Sequence, residues 1–305
     1  MSKNLPGRKH QSRKLPAAWN GSDRKGCGRM KLKLAQLQMP VFEEMDRAVQ
    51  CLEDMGAKAA EMGAEFIALP EMFACPYNVE NFPKYAQKEQ GALWQACSDF
   101  AKKHQVYLSA GSMPERDEEG RIFNTAYVFD RDGRQIAKHR KMHLFDIAVE
   151  GGQHFRESAT LCAGNQVTVF PTEFGTMGLC ICYDFRFPEL GRLMALEGAK
   201  VILVPAAFNM TTGPAHWEMM FRSQAVNNQV YTVGTAPARD ETGGYVSWGH
   251  SIVADPWGTV VCQMDEKAGI QISDLDLSRV DAVRRQLPLL KHRRTDVYTL
   301  NCLKR

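Results

Sequence analysis

The sequence predicts a single α/β domain over residues 30–305, on three observations. Period-two apolar runs alternate with runs of period 3.6 from Met30 onward, the short apolar runs stop at Pro or Gly, and no linker or low-complexity stretch divides the chain. Lys31–Met39 (KLKLAQLQM) alternates and then meets Pro40, so it reads as a strand. Glu43–Met62 puts Met45, Ala48, Val49, Leu52, Met55 and Ala59 on one face of a helix. Glu65–Leu69 is a short buried strand stopped by Pro70. A helix at Leu93–His104 and a strand at Val106–Ser112 follow. Asn124–Asp130 and Gln135–Lys138 then flank Arg131-Asp132-Gly133-Arg134 as a hairpin.

The second half repeats the alternation. Strands are expected at Thr176–Cys182, Lys200–Val204 and Gln229–Thr235, with helices at Pro188–Glu197 and Ala215–Asn227. Ser251–Ala254 and Thr259–Gln263 flank Pro256-Trp257-Gly258 as a further hairpin, and Gly269–Ser273 is a last strand.

Composition bounds the function classes. The chain has 305 residues, is 44% hydrophobic and 24% charged, and contains no run approaching the ~18 apolar residues of a membrane span. No short apolar leader core is visible, so a cytoplasmic location is expected. Residues 1–29 carry eight basic groups against the single acid Asp23, a charge of +7 that leaves −4 for the rest of a chain whose net charge is +3. Such a segment could touch nucleic acid or an anionic membrane, or serve as a transit peptide. It has no aromatic interleaving beyond Trp19 and no amphipathic period, so the reading is a disordered basic extension with neither nucleic acid nor membrane as partner.

Nine cysteines, at 27, 51, 75, 97, 162, 180, 182, 262 and 302, match neither a disulfide framework nor paired zinc ligands. Cys180 and Cys182 sit two apart on a strand and could share a metal, but no second pair or His accompanies them at ligand spacing. No metal or cofactor is expected, and Cys180 reads as core filling. Cys182 differs, because Gly178-Leu179-Cys180-Ile181-Cys182-Tyr183-Asp184 carries it to a strand end just before a helix opened by Arg186-Phe187-Pro188. A strand-to-helix elbow exposes its side chain and aims the next backbone N–H at a developing oxyanion.

A thiol of pKa about 8.5 needs a base near neutral pH. His143, His216 and His250 could supply one, although each also sits where structural histidines do. A carboxylate raised by burial could serve instead, with a lysine to hold the oxyanion. Leu69-Pro70-Glu71 ends one strand in a carboxylate, and the cations of Lys138–Lys141 end another. Separations along the chain leave these alternatives open.

Three blocks decide among them by resemblance: Leu69-Pro70-Glu71, Arg140-Lys141-Met142-His143-Leu144-Phe145, and Cys182-Tyr183-Asp184-Phe185-Arg186-Phe187-Pro188-Glu189. In this order they resemble the signature blocks of the nitrilase superfamily of carbon–nitrogen hydrolases, over essentially all of Met30 to the C-terminus. Phe208–Glu218 (FNMTTGPAHWE) and Trp248-Gly249-His250-Ser251 resemble its omega-amidase branch.

The resemblance implies an α-β-β-α sandwich that forms four layers across a homodimer. It also implies a triad of Glu71 (base), Lys141 and Cys182 (nucleophile), with a second glutamate at Glu157 orienting Lys141 and the substrate amide. The chemistry implied is hydrolysis of linear non-peptide amides through a Cys182 thioester, the substrates being alpha-keto acid amides such as alpha-ketoglutaramate and alpha-ketosuccinamate. The Tyr183 backbone N–H is expected at the oxyanion, Arg186 and the Thr211 and Thr212 hydroxyls at the substrate's far carboxylate, and Phe208 as an apolar wall. Alternatives are N-carbamoyl compounds, deaminated glutathione or nitriles as substrates, a thiol-dependent acyltransferase, and a silent scaffold. Two features depart from the pattern: Ala148-Val149-Glu150-Gly151-Gly152 stands where an acidic-Val-Pro-Gly run is usual, and Cys180 stands where a small residue without a thiol is common.

Deleting residues 1–29 is expected to leave Tm and kcat nearly unchanged. Thermal melts and steady-state assays check this, and a Tm lowered by several degrees would show that the segment packs on the domain.

Overall fold

The computed structural model describes residues 30–150 and 153–303. The expectation for residues 1–29, and the Gly151-Gly152 part of the unusual run, fall outside the described residues.

The first half builds one sheet and two covering helices. In chain order come β1 (Lys31–Gln38), α1 (Met45–Glu61), β2 (Phe66–Ala68), a single turn α2 (Phe82–Tyr85) and α3 (Ala92–His104). Next are β3 (Tyr107–Ser109), β4 (Met113–Arg116), β5 (Ile122–Phe129) and β6 (Gln135–Arg140). A small ribbon of β7 (Asp146–Ala148) and β8 (His154–Arg156) leads into the second half. That half contains β9 (Thr168–Thr172), β10 (Gly175–Leu179), α4 (Pro188–Leu196), β11 (Val201–Pro205), α5 (Gly213–Asn228), β12 (Tyr231–Thr235), β13 (Ile252–Ala254) and β14 (Val260–Gln263). The chain then returns to the first sheet through β15 (Gly269–Asp276), and α6 (Ser278–Gln286) ends it.

The first sheet has the order β15-β1-β2-β3-β5-β4, with β6 also paired to β5; the second has β14-β13-β12-β11-β10-β9. Parallel pairing of β1–β2–β3 and of β10–β11–β12 requires crossovers, which α1, α3, α4 and α5 supply. The residues of β1 show how the layers form. Leu32 and Leu34 pack with Phe170, Leu179 and Val201 from the second sheet. Ala35, Leu37 and Met39 face the opposite way and pack with Leu52 of α1 and Phe100 of α3. Period-two alternation thus serves two apolar layers, and the α-β-β-α sandwich follows. Gln36 and Gln38 cross between the sheets, donating to Gly234 O at 2.7 Å and to Asp265 O at 2.7 Å.

Three differences from the expected elements have physical causes. The strand expected over Val106–Ser112 stops at Ser109, because Gly111 turns with φ +55° and carries the chain against Pro70. The strand expected to run to Cys182 ends at Leu179, and Cys182 itself has φ +46°, in the left-handed region that side chains rarely occupy. Strands β4, β7, β8 and β9 and helix α6 were not expected; they are short or Pro-containing, and α6 (SRVDAVRRQ) buries only Val280 and Val283.

The Gly111 turn positions the loop after β2. Ser112 N–H donates to Pro70 O at 3.2 Å, and the Ser112 hydroxyl accepts from Met72 N–H at 3.0 Å. A Cβ on Gly111 would lie 2.0 Å from the Pro70 oxygen. Gly111→Ala should therefore cost about 1–3 kcal/mol, which lowers Tm by roughly 4–10 °C in a domain of this size. Gly120 also has positive φ, +81°, but a Cβ there meets nothing within 4 Å. Gly120→Ala should shift Tm distinctly less; equal shifts in a melting experiment would show that the close approach to Pro70 costs nothing.

Candidate active site

Four strand ends converge on one buried cluster. Glu71 follows β2, Lys141 follows β6, Glu157 follows β8, and Cys182 follows β10. Lys141 Nζ lies 2.9 Å from Glu71 Oε1 and 2.9 Å from Glu157 Oε1. All three side chains are inaccessible to solvent. Glu71 also accepts from Asn124 Nδ2 and from the Ala207 N–H just beyond β11, both at 2.9 Å. Glu157 accepts from the Phe145 N–H at 2.6 Å. With both oxygens accepting, each carboxylate is held in one orientation.

The Cys182 thiol lies near enough to the Glu71 carboxylate and the Ala207 N–H for both to act on its charge. Burial pushes the thiol well above its ordinary range and the Glu71 charge adds to this, against the pull of Lys141. Burial also raises Glu71, with Lys141 opposing and Glu157 reinforcing. Burial works to strip Lys141 of its proton, but Glu157 and Glu71 outweigh it and hold the ammonium charged. The pair is thus a thiol that burial keeps protonated beside a carboxylate of enhanced basicity, groups suited to act as nucleophile and base.

Asp184 locks this arrangement from behind. Its carboxylate accepts from Ile181 N–H (3.1 Å), Met142 N–H (3.1 Å), His143 N–H (2.8 Å), His143 Nδ1 (2.7 Å) and His139 Nε2 (2.9 Å). The elbow bearing Cys182 is thereby tied to the segment bearing Lys141. Although burial favours its neutral form, the bonds from His139 and His143 hold the Asp184 carboxyl well below the usual carboxylate range. His143 stacks on Phe187 at 3.7 Å. The three candidate histidines therefore lie off the nucleophile: His143 serves Asp184, His216 bonds Arg186, and His250 stacks on Trp248 at 4.1 Å.

The substrate-side residues separate into two groups. Arg186 lies 4.7 Å over the Phe208 ring and 5.9 Å from that of Tyr183, and Nη1 donates to His216 Nδ1 at 3.1 Å. Burial lowers its pKa, opposed by the charges of Cys182 and Tyr183. Thr211 and Thr212 instead form the turn opening α5: both N–H groups and the Thr212 hydroxyl donate to Asn209 Oδ1. Thr211 is exposed and Thr212 half-buried, and the Thr212 hydroxyl is committed to the turn.

Sequence reasoning missed Tyr77, Asn124 and Tyr245. Asn124 accepts the Lys141 N–H on its carbonyl while its amide donates to Glu71. The Tyr77 hydroxyl lies 2.6 Å from Glu157 Oε1. Tyr245 donates to the Ala207 carbonyl and stacks against Tyr77 at 4.6 Å. The one available signal was a tyrosine six residues past Glu71 in an apolar loop, since a buried phenol needs a partner. A cavity of about 490 Å³ opens beside the cluster, with Glu71, Tyr77, Ala207 and Tyr245 among its walls. Cys180 is fully buried, and among the described residues no group of three or more His, Cys, Asp or Glu could hold a metal. Among the same residues, no helix is long and apolar enough to cross a membrane.

Comparison with known proteins shows the family. The carbon–nitrogen hydrolase family profile matches residues 33–285. The omega-amidase NIT2 of Mus musculus is 44% identical over 274 residues, covering 90% of this chain and 98% of that protein. The omega-amidase NIT2 of Homo sapiens is 43% identical over 276 residues, covering 90% and 98%. Among solved structures, Saccharomyces cerevisiae Nit3, a member of branch 10 of the nitrilase superfamily, superposes with a TM-score of 0.81 at 37% identity over 87% of this chain and 97% of that one. With the profile spanning most of the chain and relatives above 40% identity along nearly their whole length, this protein belongs to the carbon–nitrogen hydrolase family, within the nitrilase superfamily.

Proposed function

We propose that the chain is an omega-amidase, releasing ammonia from alpha-keto acid amides such as alpha-ketoglutaramate and alpha-ketosuccinamate. The observation that carries the catalytic reading is the Lys141 ammonium held between the buried Glu71 and Glu157 carboxylates, with the Cys182 thiol near enough for the Glu71 charge to act on it. The relatives named omega-amidase support the substrate class.

Glu71 takes the thiol proton as the Cys182 sulfur bonds to the amide carbon. The oxyanion that forms is met by Lys141 and by the Tyr183 backbone N–H, each donor contributing about 3–4 kcal/mol. Glu71 returns the proton to the leaving nitrogen, ammonia departs, and a thioester remains. Water then gives a proton to Glu71 and attacks the thioester; collapse expels the sulfur, which recovers the proton as the acid leaves. Glu157 holds Lys141 and meets the amide nitrogen. Every role is filled by a side chain or backbone group, so the reaction needs no metal or cofactor. Arg186 pairs with the far carboxylate against the Phe208 wall; with its other contacts an aromatic ring and a neutral imidazole nitrogen, its charge is open to an anionic partner. The commitment of Thr212 to Asn209 leaves Arg186 the better carboxylate ligand.

The assembly that fits is a homodimer. Exposed Met219 and Val226 of α5 form one groove with exposed Trp257, an apolar face suited to a second copy. We place the enzyme in the cytoplasm, with a small-molecule amide as its partner.

Ammonia release from a panel of ω-amides, nitriles and N-carbamoyl amino acids tests the substrate class, with alpha-keto ω-amides expected to be turned over fastest. A preference for either other class would overturn it. Cys182→Ala should abolish turnover while Cys180→Ala keeps most of it; equal loss with intact circular dichroism would point to shared thiol chemistry. Because Glu71 is raised, the acidic limb of kcat/KM should lie above the usual carboxylate range: activity requires the ionised form and is lost as pH falls through that raised value.

The role of Arg186 has its own measurement. Arg186→Lys keeps charge but loses the planar fork, so kcat/KM for an alpha-keto ω-amide should fall roughly tenfold to a hundredfold, as expected for a charge-assisted bond of about 1.5–3 kcal/mol. A neutral short amide should barely change. Equal losses on both substrates would make Arg186 a structural residue.

A further inference from the structure

Tyr77 is buried, and its hydroxyl lies at the centre of the charged cluster. It is 2.6 Å from Glu157 Oε1, 3.2 Å from Glu71 Oε1 and 3.2 Å from Lys141 Nζ. Three aromatic neighbours fix the ring: Phe82 edge-on at 5.5 Å, Phe155 at 5.4 Å and Tyr245 at 4.6 Å. Burial, reinforced by Glu157 and Glu71, pushes this phenol well above its ordinary range, so it keeps its proton wherever the enzyme works. One proton faces two acceptors, and the 2.6 Å distance assigns it to Glu157.

The lysine's hydrogens can then be counted. An ammonium has three N–H groups. Two go to Glu71 and Glu157 at 2.9 Å each, and the remaining neighbour in reach is the Tyr77 oxygen, whose lone pairs are free to accept. In the resting site, all three donors of Lys141 are engaged. The oxyanion formed on amide attack needs one of them. Releasing a donor from a carboxylate would break a charge-assisted bond, whereas the phenol oxygen is a neutral acceptor at a longer distance and gives up its share most easily.

We propose that Tyr77 is a positioning residue for the hydrolysis, holding the third N–H of Lys141 in the resting enzyme and yielding it to the oxyanion while its own O–H keeps Glu157 oriented. This rests on the reading of Lys141 as an oxyanion donor. No atom is transferred to or from Tyr77; one hydrogen bond exchanges acceptor, and the proton stays on Lys141. The tyrosine pre-aims a donor that would otherwise turn toward a carboxylate, which is the preorganisation that makes such sites effective.

Tyr77→Phe keeps the ring and removes the hydroxyl. The expected result is a kcat lower by roughly tenfold to a hundredfold, the range for losing a bond to a charged group, with KM changed less than about threefold because the substrate's far end is untouched. The acidic limb of kcat/KM, which belongs to the carboxylates coupled through Lys141, should also move to higher pH, since losing a donor to the ionised form makes that set easier to protonate. Replacement of Tyr77 by 3-fluorotyrosine keeps the fold and makes the phenol a stronger donor, so it should move the same limb to lower pH. That arm decides the matter if the phenylalanine variant is poorly folded. An acidic limb unmoved by fluorination, or a folded Tyr77→Phe enzyme with kcat within threefold of the parent, overturns the proposal. Lys141→Ala separates the two readings. Should it retain the parent's rate of thioester formation, the oxyanion role of Lys141 fails; should it lose that rate while Tyr77→Phe does not, only the role of Tyr77 fails.

Discussion

A fully buried ammonium must be paired, and the Lys141 ammonium is paired by two carboxylates that reach it from different parts of the fold. Removing water from such a charge costs several kcal/mol that only well-placed partners offset. That constraint fixes where β2, β6 and β8 end and how the second sheet approaches the first, because the Ala207 N–H after β11 completes the shell of Glu71. The catalytic cluster is also a structural joint. Removing Lys141 would leave two buried carboxylates without their counter-charge, which costs about 3–5 kcal/mol, whereas removing one glutamate leaves the ammonium paired with the other. Isosteric amide variants keep the hydrogen bonds and separate chemistry from folding more cleanly.

Reactivity is set by the same enclosure. Low exposure keeps the thiol protonated and raises Glu71 together, which supports the proposed exchange of a proton between them away from solvent. Asp184 contributes differently, by registering the nucleophile elbow against the lysine segment through five donors. The positive φ of Cys182 is tolerated because that grip determines the turn around it, as strained residues require.

Much of this was legible in the sequence, for identifiable reasons. Period-two runs bounded by Pro and Gly located β1, β2 and β11 within a residue or two, and the contiguous blocks around Glu71, Lys141 and Cys182 named the groups that meet. Strand β4 stayed hidden because it holds Pro114 and only four residues, and β8 because it holds three. Tyr77 and Asn124 escaped notice because each acts through one polar atom of an otherwise ordinary loop or strand. No pattern of hydrophobicity says where a single hydroxyl or amide points. The Thr212 hydroxyl looked like a free donor for the opposite reason: the Asn209 side chain that accepts from it is a local turn contact, invisible until the backbone conformation is known.

The pairing of β1 with β15 has a consequence for how the protein is made. Lys31 meets Asp276 and Gln38 meets Gly269, so the first strand to leave the ribosome waits for almost the last. Until then β1 has β2 on one side only, and the Gln36 and Gln38 amides lack the carbonyls at Gly234 and Asp265 that satisfy them. The nascent chain therefore carries an open, apolar strand edge through most of its synthesis, the kind of edge that invites pairing with another chain. Closing the sheet awaits the synthesis of β15, and the yield of folded enzyme should depend on how well that edge is shielded until then.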